Sequence, residues 1–219
     1  DALMNLCEIY SMQNKVKDAE LILQQVINMN SDYYPAYINL GAILQNIGKF
    51  KEAKDITEKG INIKPKESIG YSNMGCIYKA LNNNEKAEEF LQKAIDIDPN
   101  NSSYYYQLGN ILFETEKINE AEKYINKSLK LNNNNPNSKI ILARILIRKG
   151  NNKEAKMNLK RAIKLDQKIG ASYYFLSMIS NLEDKDINLL LSQKIENGKN
   201  MIDKIDISFS KANILKKFN

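Results

Sequence analysis

Apolar residues recur along this chain at the three- and four-residue spacing of a helix face, and short polar clusters interrupt them at regular intervals. Asn46-Ile47-Gly48, Asn82-Asn83-Asn84 and Gly150-Asn151-Asn152 are such clusters, built from residues that favour turns over continued helix. The pattern predicts helical hairpins. The intervals are themselves periodic. Gly41, Gly75, Gly109 and Ala143 follow one another at 34 residues, and Ala19, Ala53, Ala87, Ala121 and Ala155 do the same in a second register, 12 residues after each small position, with Cys7 opening the first pair. Small residues at these two points remove side-chain bulk where the helices of a hairpin cross, so that the backbones can approach.

Three further columns share the period. Tyr37, Tyr71 and Tyr105 stand four residues before the glycine and fill the gap against the neighbouring copy, while Leu40, Met74, Leu108 and Leu142 immediately precede the small residue. Pro65 and Pro99 close two of the periods, because proline disfavours helix for the residue before it. Aromatic-x2-Leu-Gly-x2-Tyr, then Ala, a large apolar residue, Ala and Pro is the tetratricopeptide pattern, and Tyr71-Ser-Asn-Met74-Gly75-Cys-Ile-Tyr78 with Ala87, Leu91, Ala94 and Pro99 resembles it closely. The resemblance covers nearly the whole chain. It implies an all-α fold, a right-handed superhelical solenoid of antiparallel helix pairs. The expected copies span residues 1–33, 34–67, 68–101, 102–135 and 136–169, with a degenerate sixth at 170–200. The fifth copy departs at Lys139, where an aromatic is expected, and the sixth keeps Tyr173 and Leu176 but has Ser177, Ser180 and Leu189 at its small, Tyr and Ala positions. Residues 201–219 form a C-terminal helix. Phe209, Ala212, Leu215 and Phe218 fit the first helix of a seventh copy, the alternative being a terminal cap.

In this family positions 2, 5, 6, 9, 12 and 13 of each copy look into a concave groove, which the resemblance therefore places here. Position 6 holds Asn5, Asn39, Asn73 and Gln107, and Asn110 adds an amide one turn along. A carboxamide both donates and accepts, so such a ladder can pair with the backbone of an extended peptide of any sequence. It resembles the asparagine ladder in the repeat region of O-linked N-acetylglucosamine transferases. At the fifth copy position 6 becomes Ile141, beside Ile140, and the sixth presents Tyr174, Phe175 and Met178, so the groove turns apolar. Tyr174 is the contact expected there.

Charge sharpens the picture at one place. Residues 139–168 hold ten basic residues against Glu154 and Asp166, more positive charge than the +6 of the whole chain. Arg144 and Arg148, four apart, share a helix face and are candidates to hold a carboxylate or phosphate of an acidic partner. Basic residues are not interleaved with aromatic platforms, which argues against nucleic acid. The Lys and Asn clamp that grips chaperone tails is also missing, since Met4 and Glu8, or Ile38 and Ala42, stand at its first positions.

The chemistry available is sparse. The 219 residues include no histidine and two cysteines, Cys7 and Cys76, which removes the commonest metal ligand and the usual nucleophile activations. No catalytic residue, metal or cofactor is expected. The longest apolar stretch, residues 140–147, is interrupted by Arg144 and far shorter than the roughly 20 residues a membrane helix needs, so a cytoplasmic location without membrane contact is expected. A start without Met gives the expectation of a piece of a longer protein, with self-association through uncapped ends. Two functions fit: a non-catalytic scaffold binding a protein or peptide, or the binding arm of a larger enzyme. For the second, residues 173–180 and 207–212 resemble the junction of bacterial repeat proteins that continue into a sulfotransferase domain.

Overall fold

The computed structural model describes residues 2–13, 15–179 and 182–218. Among them are thirteen α-helices and no strand. Expectations that fell on Ser180, and on the side chains of Glu8 and Phe218, lie outside what is described. Two compact units divide the chain, residues 1–111 and 112–219, with the division inside one helix.

The first unit holds α1 (Ala2–Met12), α2 (Val16–Met29), α3 (Tyr34–Asn46), α4 (Phe50–Ile63), α5 (Ser68–Ala80), α6 (Asn84–Ile97) and most of α7 (Ser102–Glu114). Successive helices pair as hairpins, α1 with α2, α3 with α4 and α5 with α6. The pairs close on the small residues. A Cβ on Gly41 would lie 2.2 Å from Thr57 Oγ1, and one on Gly75 2.7 Å from Leu91 Cγ, both below any tolerable contact. Ala19, Ala53 and Ala87 have no exposed surface. The tight turns between paired helices need a left-handed residue, which asparagine and glycine supply most easily. Gly48 and Asn82 take it, with φ of 81° and 58°.

The second unit continues with α8 (Ile118–Leu131), α9 (Pro136–Arg148), α10 (Asn152–Leu165), α11 (Gly170–Met178), α12 (Asp184–Ser192) and, after a 3-10 turn at Ile195–Asn197, α13 (Met201–Phe218). Ala121 and Ala155 are again fully buried. Gly150 repeats the left-handed turn at φ 77° and Glu116 does so at 60°, a conformation that costs a residue with a Cβ about 1 kcal/mol. Asn135 and Asn151 cap α9 and α10 by accepting from Ser138 N–H (3.2 Å) and Glu154 N–H (3.3 Å).

One column has a second function. Tyr37, Tyr71, Tyr105 and Tyr173 each donate a hydroxyl hydrogen bond to the carbonyl six residues back, at Ser31 (2.9 Å), Pro65 (3.0 Å), Pro99 (3.1 Å) and Gln167 (3.1 Å). Each first helix is thus fastened to the loop that enters it. Lys139 breaks the aromatic pattern yet makes the same fastening: its stem is buried, and its ammonium donates to Asn133 Oδ1 at 2.8 Å, again six residues back. Burial, aided by Arg161, lowers its pKa below that of an ordinary lysine.

The sixth copy departs from the rule. α13 runs alongside α11 in the same direction, since the Gly170 N–H donates to Asp203 Oδ1 (2.8 Å) and Asn213 Nδ2 donates to Ser177 Oγ (3.1 Å). α3 and α5, successive first helices, also touch directly, through Asn73 and Ile38. Asp203, Ile207, Ser210 and Ile214 of α13 are buried, whereas Phe209, Ala212 and Leu215, the residues matched to the first helix of a seventh copy, are exposed. α12 is short and is held to α10 through Asp186, fully buried, whose carboxylate meets Lys160 and Lys156, the latter at 3.3 Å, and accepts from the Glu183 N–H at 3.2 Å.

Burial would raise the Asp186 carboxyl, but Lys160, the Glu183 amide and Lys156 outweigh it and hold it below the usual range. A depressed folded pKa stabilises above the unfolded value and is lost as pH falls through the folded one. Asp186→Ala is expected to cost about 2 kcal/mol at pH 7, since it removes the buried carboxylate that Lys160, Lys156 and the Glu183 amide share, and the gap to the parent should shrink below about pH 4, as urea denaturation at both pH values would read. Tyr173→Phe keeps the ring and removes the fastening, and is expected to cost about 1 kcal/mol in the same measurement.

Candidate functional site

Within residues 1–111 the period of 34 residues brings position 6 to the same place on α1, α3, α5 and α7. Asn5 and Asn39 are exposed there, while Asn73, Gln107 and Asn110 are half-buried. The third and fourth rungs bridge neighbouring helices. Asn73 Nδ2 donates to the Ile38 carbonyl of α3 (3.4 Å), and Gln107 Oε1 accepts from Ser72 Oγ (2.8 Å) and Cys76 Sγ (3.4 Å) of α5. Gln107 Nε2 also donates to Ser103 Oγ at 3.3 Å. Each amide carries two donor hydrogens and two acceptor lone pairs. The bond to Ile38 thus uses a donor of Asn73 and orients its amide.

The basic candidates of the second unit are engaged within the fold. Arg148 forks onto Glu116 with two bonds, at 3.1 and 3.0 Å, in an exposed pair. Arg144, half-buried one turn away, has its guanidinium 4.5 Å from the ring centre of Phe113 and 4.9 Å from that of Phe175, a geometry that favours a cation. The Tyr174 ring meets Phe175 edge-on at 5.2 Å. The two arginines lie on one face, as their spacing requires, but they present a stacked cation and an internal ion pair. Ile140 and Ile141 are buried and Met178 is exposed. Sequence reasoning missed Glu116 and Phe113. Phe113 could have been found, because it occupies position 12 of its copy, one of the groove positions.

Burial raises the pKa of the Cys76 thiol, which suits a hydrogen-bond donor and not a nucleophile. Among the described residues no group of three His, Cys, Asp or Glu side chains could hold a metal ion, and no helix is long and apolar enough to cross a membrane.

Paired helices with a repeating polar first-helix face define an all-α helical-repeat protein. Three tetratricopeptide repeat models match the sequence, at residues 68–101, at 90–123, and at both 34–67 and 137–169, together more than half of the chain. The chain belongs to the tetratricopeptide repeat family. No curated protein matches it. Among solved structures, the pilF protein of Pseudomonas aeruginosa aligns with 18% identity over 100% of this chain and 91% of its own, at a TM-score of 0.69. TTC0263 of Thermus thermophilus, a thermophilic TPR protein, is 18% identical over 80% and 96%, at 0.70. YrrB, described as a TPR protein with an unusual peptide-binding site, is 18% identical over 90% and 97%, at 0.62. At such identities the likeness establishes the fold. Family and fold together support a protein–protein interaction scaffold, and the tetratricopeptide fold is generally a non-catalytic module.

Glu116 offers a clean test of backbone strain at this site. Glu116→Gly and Glu116→Ala both delete the exposed ion pair, worth at most about 1 kcal/mol, but only glycine relaxes the left-handed turn. The glycine variant is expected to be about 1 kcal/mol more stable than the alanine variant by chemical denaturation.

Proposed function

We propose that this chain is a non-catalytic scaffold that holds an extended peptide segment of a partner along the first-helix face of residues 1–111. The observation that carries this reading is the carboxamide at one position of four consecutive copies, exposed at Asn5 and Asn39 and oriented by neighbouring helices at Asn73 and Gln107. Rungs already held in place lose little freedom when a ligand binds. Asn39, being exposed, is the central rung, and Asn5, Asn110 and the remaining capacity of Asn73 and Gln107 extend it. Backbone-directed pairing makes the groove tolerant of ligand sequence and intolerant of ligand backbone changes.

In the second unit the reading assigns Arg148, with Arg144 and Tyr174 beside it, to an acidic residue of a partner. That residue must displace Glu116, so the gain is a difference between two exposed pairs and is small. Affinity from this part falls as salt rises.

Calorimetric titration with a peptide selected from a random library tests the proposal. Asn39→Ala is expected to weaken binding roughly fivefold to tenfold, the share of one or two backbone hydrogen bonds, and N-methylation of the peptide's central amides should abolish it. Unchanged affinity for both would overturn the reading.

A further inference from the structure

The first unit holds a cavity whose lining contains none of the amide rungs. α2, α3 and α4 surround an open space of about 250 Å³, with Leu40, Leu44 and Ile56 beneath it and Glu20, Glu52 and Asp55 around it. Leu40 and Leu44 are almost fully buried, so the floor is rigid core. Lys49 ties Glu20 (3.1 Å) to Glu52 (3.6 Å) at one end of the rim, and Asp55 has Lys54 of the same helix 3.7 Å away. The lining carries carboxylates and no cation.

The next copy shows what the same place holds when the chain fills it. Thirty-four residues on, Leu44 becomes Tyr78 and Ile56 becomes Phe90. These two rings stack at 5.3 Å with 18° between their planes. A lysine caps each ring, Lys86 Nζ at 5.2 Å from the centre of Tyr78 and Lys93 Nζ at 5.1 Å from that of Phe90. The position of Lys86 is Glu52 in the second copy. The third copy thus holds two rings and, at the position of Glu52, a cation, where the second copy has an aliphatic floor and a carboxylate.

We propose that this cavity is a second docking site, distinct from the amide face, which takes an aromatic side chain of a partner polypeptide together with an adjacent lysine or arginine. The ring lies on Ile56, above the buried Leu40 and Leu44, its electropositive edge toward the carboxylates. The neighbouring cation pairs with Asp55 or competes with Lys49 for Glu52, and its aliphatic stem covers the rest of the floor. A volume of this size, below that of ordinary small-molecule pockets, suits one inserted side chain.

Methyl NMR on the whole chain, labelled at Leu and Ile, tests the site with acetyl-Arg-Tyr-Lys-amide as probe and acetyl-Glu-Tyr-Glu-amide as its charge-reversed control. The basic peptide is expected to shift the Leu40, Leu44 and Ile56 methyls saturably, and the acidic one is not. Glu52→Gln with Asp55→Asn, at exposed positions, should weaken the basic peptide about fivefold. Leu44→Tyr with Ile56→Phe installs the third copy's own filling and should abolish the response. Should that variant fail to fold, the charge pair alone decides. Asn39→Ala should leave the response intact, which separates this site from the amide face. No shift, equal shifts from both peptides, or retained binding in the folded, filled variant would overturn the proposal.

Discussion

Contact between helix backbones at the small-residue positions is the constraint on which the rest depends. Where Gly41 meets Thr57 and Gly75 meets Leu91, there is no room for one more carbon. The alanine of each second helix, from Ala19 to Ala155, has no exposed surface. A core this tight cannot absorb volume changes by relaxing. It therefore fixes the rotation of each helix about its axis, and with it which residues lie outward.

From that rotation the proposed recognition face follows. Within residues 1–111 position 6 falls on the same face because the crossing point recurs every 34 residues, and the fastening of Tyr37, Tyr71 and Tyr105 to the carbonyls six residues earlier holds each first helix at its entry. Yet the copies are not equivalent. Asn73 and Gln107 spend part of their hydrogen-bonding capacity on the preceding first helix, so the face carries two exposed amides, Asn5 and Asn39, beside two braced ones. The same contrast appears between the second and third copies. An aliphatic pair leaves space where an aromatic pair would fill it, so neighbouring copies differ in what they can admit.

Beyond residue 170 the constraint loosens, and electrostatics and hydrogen bonding take over. α12 has neither the length nor the small residue of a second helix and is anchored by the buried Asp186 carboxylate between two lysines. α11 and α13 then touch directly, with Gly170 so close to Asp203 that a Cβ would reach its backbone oxygen. The inner face of α13 combines the apolar Ile207 and Ile214 with Asp203, which accepts from the Gly170 amide, and Ser210.

The sequence by itself determined the helical hairpins, their 34-residue period, the buried alanines and the column of amides, because those are consequences of local periodicity and of side-chain size at a fixed crossing. Lys139 shows the limit of that legibility. Read as a break in the aromatic column, it makes the same fastening through Asn133, which is visible only once its stem is seen to be buried. Tertiary structure alone decided that Arg148 is held by Glu116, that Arg144 lies between Phe113 and Phe175, and that Gln107 answers to Ser72 and Cys76. Each of those partners lies about one period away in the chain, and a long polar side chain chooses among such neighbours by distance and direction in space, which no spacing along the sequence encodes.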